Sequence, residues 1–375
     1  MKNALSAIQG SLIGGAIGDA LGYPVEFLRR ERILSRYGEQ GIQAYELDPE
    51  TGLALISDDT QMTLFTLVGL LIRETRGKLR GIASPPENYI GECYQKGWYL
   101  TQTGERPEEN VCCLMDLPQL WDRRAPGGTC LTALGSNRMG TLERRINPSK
   151  GCGGVMRVAP IGLYARRAQD REWMMETMLT AAKTAALTHG HSLGMMPAAA
   201  LAHVVSRAAF GGCPYDNGLY GIAQECREIM QELFKQDSCL PEFLEIMDRA
   251  VERARSDWED HRCIRSIGEG WVGEEAFGIA LFCALRYPDD FSKAVTAAVN
   301  HSGDSDSTGS IAGNIMGAWL GMEGIESEWL EKLELRDEIL ELATDLHNGC
   351  PMSEYSDVYD ERWMEKYIHH HWPKA

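Results

Sequence analysis

The sequence predicts an all-α protein, and three observations carry that expectation. Segments rich in helix formers repeat their apolar residues at helical spacing, two segments carry glycine every fourth residue, and no regularly spaced run of alternating strands is visible. Taking the chain in order, IQGSLIGGAIGDALG places Gly10, Gly14, Gly18 and Gly22 on one helix face. QAYELDPETGLALIS has room for a short hairpin. From about 104 to 154 the breakers GERPEEN, RRAPGG and INPSKGCGG read as loops laid over one face of a single domain spanning 1–375, because helical segments continue on both sides. REWMMETMLTAAKTAALTHG reads as a helix. GSIAGNIMGAWLG repeats the glycine stripe at Gly309, Gly313, Gly317 and Gly321. SEWLEKLELRDEILELATDL spaces Leu330, Leu333, Leu340 and Ala343 helically until Asn348, Gly349 and Pro351 stop it.

Glycine inside a helix costs about 0.5 to 1 kcal/mol relative to alanine, so eight of them need a compensating reason. Close backbone approach supplies one, and two tightly packed central helices are the expectation, with packing on each other or on other helices both open. Asp19 and Glu26 beside the first stripe, and Asp304 and Asp306 before the second, argue against a dimerising membrane span.

The 375 residues are 44% apolar, enough for a sizeable core. A net charge of -17 disfavours nucleic acid and anionic membrane as partners, since phosphate contacts need clustered Lys and Arg. No uninterrupted apolar run reaches spanning length, and MKNALSAIQG lacks the layout of a signal peptide, so a cytoplasmic location is expected. The eleven cysteines are scattered, with Cys112 and Cys113 the close pair, which suits reduced thiols rather than disulfides or a thiolate zinc site. The three histidines His369, His370 and His371 read as a surface tail.

Chemistry concentrates in NHSGDSDSTGSIAGN, residues 300–314. Aligned as a calcium loop it puts Ile315 where the bidentate glutamate belongs, which excludes that reading. Helix capping explains Asp306 or Ser307 and leaves Asp304 over, so on its own the run is either a metal site or a set of caps. A second run, ISDDTQMTLFT, again sets Ser57, Asp58, Asp59 and Thr60 before an apolar helix. Adjacent aspartates repel, and a divalent cation relieves that repulsion; oxygen-only donors select Mg2+, Mn2+ or Ca2+ over zinc. Glu26 in GDALGYPVEF is a third acidic candidate.

The combination GSLIGGAIGDALGYPVEF, SDDTQMT, PGGTCLTAL, NPSKGCGGVMRVAPIGL, ALTHGHSLG, GEGWVGEEAFGIALFCAL and SGDSDSTGSIAGNIMGAWLG resembles the ADP-ribosylglycohydrolase family, of the dinitrogenase-reductase-activating and ADP-ribosylarginine-hydrolase type. The resemblance runs from residue 10 to residue 321. It implies an orthogonal helical bundle around a central binuclear site holding two Mg2+ (or Mn2+). It assigns Ser57, Asp58 and Asp59 to one ion, and Asp304, Asp306 and Ser307 to the second ion or to a bridge. Glu26 falls at the family's glutamate, which positions a water or gates the site. Gly151, Cys152, Gly153 and Gly154 resemble the loop that approaches ribose and pyrophosphate, with Cys152 departing from the usual small polar residue. His189 resembles the ligand-contacting histidine, and Trp271, within Gly268 to Glu275, a stacking residue on the adenosine side. Cys152 as nucleophile with His189 as base is a poorer reading, since it leaves the aspartates idle.

The function implied is metal-dependent hydrolysis of the N-glycosidic bond between ADP-ribose and a protein arginine, with Glu26, Asp58 and Asp304 as catalytic residues. Serine-linked or O-acyl ADP-ribose, another nucleotide cleaved by a binuclear phosphohydrolase, and occlusion of an ADP-ribosyltransferase toxin by an immunity protein are the alternatives. The partners implied are an ADP-ribosylated protein and, under the last reading, a transferase or its target.

Overall fold

The structure is a computed structural model that describes residues 3–136, 138–164 and 170–373. Its regular elements are helices; among the described residues no strand forms, and two isolated bridges, Ala54 to Leu333 and Gly151 to Val272, are all the β pairing present.

The two glycine stripes meet. Helix Ala4–Gly22 and helix Ser305–Leu320 make the most extensive helix–helix contact in the molecule. Gly10 lies against Gly317, Gly14 against Gly313 and Gly18 against Gly309, while Gly22 reaches Ser305, so the helices run antiparallel. A Cβ at any of these glycines would overlap the partner's backbone, which is the reason both helices carry residues of poor helix propensity. The antiparallel register sets the C-terminus of the first helix beside the N-terminus of the last.

Around this pair lie helix Asp58–Arg80, the almost wholly buried helix Ser192–Phe210, and helices Gly273–Arg286 and Phe291–Val299. Buried apolar residues from Ala7 to Tyr367 join in one core cluster. Ala4–Val25 and Ser192–Phe210 are long and apolar enough to cross a membrane, but 83% and 94% of their apolar windows are buried within the protein. Their hydropathy reflects a position at the centre of a large core. Between Gly104 and Gly154 the described regular structure is limited to short turns at Cys113–Asp116, Pro118–Trp121 and Cys152–Gly154 and the helix Gly128–Gly135.

Two local expectations fail. The hairpin expected over QAYELDPETGLALIS is absent: the Asp48 carboxylate gathers the Glu50 and Thr51 amides into a turn, and Ala54 then pairs with Lys332 and Glu334. That same pairing ties 332–334 to Ala54, and Leu335 follows with φ of 57°, so the helix expected across 327–346 begins only at Arg336 and ends at Asn348. The 171–190 segment forms a helix over Arg171–Ala186.

Candidate metal centre

Three chain ends converge in the core. The first is the turn after helix Ala4–Gly22, which carries Glu26. The second is the N-terminus of helix Asp58–Arg80, where Ser57 caps by accepting from the Asp59 amide. The third is the N-terminus of helix Ser305–Leu320, where Asp304 caps by accepting from the Ser307 amide at 3.2 Å. The second run therefore does cap a helix, but through Asp304, the residue the sequence left over, rather than through Ser307, while Asp306 Oδ1 shares the Ser307 amide at 3.0 Å; other oxygens of both runs cap nothing.

Carboxylate oxygens of Glu26, Asp304 and Asp306 lie within 4.8 Å of one another, all three residues buried. Ser307 Oγ donates to Asp59 Oδ1 at 3.2 Å, joining the second run to the first. Asp58 Oδ2 accepts from the Gly127 amide at 3.1 Å, while its own amide donates to the Arg124 carbonyl. Glu26 Oε2 and Asp59 Oδ2 are buried and have no hydrogen-bond partner. Buried polar atoms in folded proteins are nearly always satisfied, so two orphaned carboxylate oxygens facing like charges mark a place for a cation.

The electrostatics agree. Burial, then Asp304, Asp58 and Asp19, push the Glu26 carboxyl up to about 9. Burial, reinforced by Asp19 and Asp304 and opposed by the Gly127 amide and Arg157, holds Asp58 up to about 8. Burial foremost, with neighbouring carboxylates, pushes Asp59 and Asp306 well above the usual carboxylate range. Without a counter-charge this cluster cannot be fully ionised at neutral pH. The donor set of carboxylates and hydroxyls fits a hard divalent cation.

The substrate-side candidates gather next to it. Lys150 to Cys152 pair with Trp271 to Gly273: the Cys152 amide donates to the Trp271 carbonyl, and the Gly273 amide to the Lys150 carbonyl. His189, buried, lies against Gly151, Gly153 and Gly154. Trp271 is partly exposed and stacks on exposed Phe27. The sequence reading placed no cysteine at the acidic centre, yet the Cys152 thiol donates to Asp304 Oδ2 at 2.8 Å. Burial, then Asp304, pushes that thiol well above its usual value, the opposite of what a nucleophile needs. His301, close to Asp304 in sequence, instead bonds Thr308 Oγ1 at 2.9 Å.

Two residues went unassigned in the sequence. Asp19 takes the Ser57 amide at 3.0 Å on each oxygen, the Thr60 amide at 3.0 Å and the Thr60 hydroxyl, so it fixes the chain that presents Ser57 to Thr60. Those bonds oppose burial and leave its carboxyl at about 6. A carboxylate inside an apolar glycine-striped helix was the available signal. Arg157, in GGVMRVAP, is fully buried behind the glycine-rich turn.

A helical protein whose helix ends enclose a buried, cation-seeking set of oxygens is the class these features define. The chain belongs to the ADP-ribosylglycohydrolase family, whose model matches residues 1–355. It is similar to ADP-ribosylarginine hydrolase Tri1 of Pseudomonas putida, 23% identical over 95% of this chain and 82% of that protein. It is similar also to ADP-ribosyl-[dinitrogen reductase] glycohydrolase of Rhodospirillum rubrum, 24% identical over 88% and 90% respectively. Human ADP-ribosylhydrolase ARH3 is 29% identical over 53% of this chain and 58% of its own length. A solved chain described as an ADP-ribosylglycohydrolase-related protein complex shares the fold, with a TM-score of 0.58 at 21% identity over 93% of this chain and 99% of that one.

Proposed function

We propose that the protein hydrolyses the N-glycosidic bond between ADP-ribose and the side chain of a modified protein, with arginine as the linkage. The observation that carries this reading is the convergence of Glu26, Asp304 and Asp306, with Asp58, Asp59 and Ser307 alongside, from three separated chain ends. The name of the Pseudomonas putida relative, aligned along most of its length, supports arginine, that of the Rhodospirillum rubrum relative supports a modified protein as substrate, and a protein of net charge -17 does not repel a cationic target.

Ser57, Asp58 and Asp59 on one side and Asp304, Asp306 and Ser307 on the other are the residues that would hold two Mg2+ (or Mn2+). Such ions, when bound, orient ribose hydroxyls and lower the pKa of a water. The chain's own contribution is acid–base and positional. Glu26, with Oε2 unengaged, would be ionised where bound cations offset the neighbouring carboxylates, and it then accepts a proton as the water oxygen bonds to the anomeric carbon. The bond to the guanidine nitrogen breaks, and the leaving guanidine takes up the proton that Glu26 received, so Glu26 is regenerated and charge and atoms balance. The transition state has oxocarbenium character, which surrounding carboxylates stabilise. Gly151 to Gly154 let the ligand approach the backbone closely.

The test is ADP-ribose release from arginine-linked and serine-linked substrates with Mg2+ or Mn2+, before and after chelation. Release from the arginine substrate, reversible loss on chelation, and loss in folded Asp58→Asn and Asp304→Asn are expected. Full activity in either variant refutes the assignment of these residues, and release from the serine substrate alone refutes the arginine linkage.

A further inference from the structure

Behind the glycine-rich turn sits a buried cation that bonds no carboxylate among the described residues. Arg157 stacks over the Tyr94 ring at 4.5 Å and directs Nη1 at the sulfurs of Met62 and Cys130, at 3.3 and 3.4 Å. Nη2 donates to the Thr184 carbonyl at 3.3 Å and, more closely, to Thr188 Oγ1 at 2.7 Å. Thr188 Oγ1 in turn lies 2.9 Å from His189 Nδ1. Arg157, Thr188 and His189 are all buried.

The direction of the Thr188–His189 bond follows from what each group can do. A guanidinium only donates, so Thr188 Oγ1 accepts from Arg157 on one lone pair. Its single proton is repelled by the cation and turns to the other side, where the imidazole nitrogen is a far better acceptor than the Cys130 sulfur. Nδ1 therefore accepts, and the ring proton sits on Nε2. Nε2 faces the ligand loop: a Cβ on Gly151 or on Gly153 would lie 3.4 Å from it, so both glycines keep its approach open. Burial, and secondarily Arg157, push the His189 pKa down to about 3, so the ring does not charge near neutrality.

We infer that Arg157 and Thr188 are positioning residues that lock His189 as a neutral Nε2–H donor aimed across Gly151 and Gly153 at an oxygen acceptor of the bound ligand. The ligand half rests on the reading that ADP-ribose occupies this loop. An imidazolium would instead offer two donors and a positive charge next to the acidic centre, and the Nδ1–H tautomer would offer the ligand no donor.

The experiment is the 15N spectrum of ring-labelled histidine in the full-length, cation-loaded protein from pH 5 to 8, with His189 assigned by its loss in His189→Phe. One tautomer, protonated on Nε2 throughout, is expected. Thr188→Val should mix the tautomers, and Thr188→Ser should restore the wild-type pattern. A His189 ring that titrates in this range, that carries its proton on Nδ1, or that ignores Thr188→Val overturns the inference, and the wild-type spectrum decides even where the valine variant does not fold. Free ADP-ribose, measured by calorimetry, should bind about tenfold more weakly to Thr188→Val and to His189→Phe. A correct tautomer combined with wild-type ADP-ribose affinity in His189→Phe sinks the ligand reading while the relay stands.

Discussion

Gly18 and Gly309 face each other backbone to backbone, and a Cβ on either would overlap the other's carbonyl. Gly309→Ala should therefore destabilise the protein by about 1 to 3 kcal/mol in chemical denaturation, although alanine is the better helix former. The obstacle is main chain, which has no rotamer to escape into. Because Ser307 is two residues away and bonds Asp59, pushing the helices apart should also shrink the rise in melting temperature on adding Mn2+. An unchanged denaturation midpoint would show that the helices are not in contact there.

Asp19→Asn tests the support under the first oxygen run. The side-chain amide puts an NH2 on one of the two positions, 3.0 Å from the Ser57 amide in either orientation, so a buried donor is set against a donor. The expected cost is about 1 to 3 kcal/mol. Asp19 holds the backbone that presents Ser57 to Asp59, so cation affinity should fall by about tenfold to a hundredfold. Calorimetric titration with Mn2+ is the measurement, and wild-type affinity in the folded variant would remove Asp19 from the site.

The raised carboxyls make stability depend on pH in a cation-sensitive way. Glu26, near 9, and Asp58, near 8, stay protonated in the folded, cation-free protein at pH 7, whereas in the unfolded chain both are ionised. Each retained proton costs ~1.4 kcal/mol per pH unit, so the stability intact below the unfolded values is lost as pH rises through 8 to 9. The chelated protein should lose stability from pH 7 to 9, and the gain from added Mg2+ or Mn2+ should widen over the same range. Buried thiols such as Cys226 and Cys283 add a similar trend to both samples, so the difference between them is the readout. Below about pH 6.5 the histidines buried as neutral rings, His189, His203 and His301, work in the opposite direction. A cation-induced gain of constant size across pH 7 to 9 would contradict the assignment.

What the sequence made legible was local and periodic. Fourfold glycine spacing told of closely packed helices, and the pairing of Gly14 with Gly313 shows that they pack on each other, although Gly321, the last of the eight, ends its helix with φ of 75° rather than lying inside it. Hydroxyl and carboxylate runs before apolar stretches marked helix starts, although the second cap is Asp304 rather than the Asp306 or Ser307 that the sequence suggested. The family likeness, rather than spacing, supplied the division of ligands between ions. Tertiary partners were not legible: nothing near Cys152 announces a bond to Asp304, and VMRVAP does not reveal that Arg157 lies in the core. The start of helix Arg336–Asn348 was missed because Ala54, far off in sequence, bonds the backbone of Lys332 and Glu334 and so overrides helical periodicity there.

Phe27 and Trp271 stack with centroids 5.8 Å apart and planes inclined by 19°, one ring directly after Glu26 and the other on the segment paired with Cys152. Both are exposed, Phe27 at 72% and Trp271 at 39%, so the pair contributes little to the core and offers a flat apolar face at the rim. A purine is the natural occupant of such a face, since ring stacking adds about 0.5 to 1.5 kcal/mol beyond area burial. Trp271→Ala should raise KM for an ADP-ribosylated peptide about tenfold while the denaturation midpoint stays near wild type, and Trp271→Phe should recover most of the loss. Quenching of tryptophan fluorescence by ADP-ribose should disappear in Trp271→Ala although eight of the nine tryptophans remain. An unaltered KM would place the adenosine elsewhere and leave the stacked pair as a brace between the Glu26 turn and the glycine-rich loop.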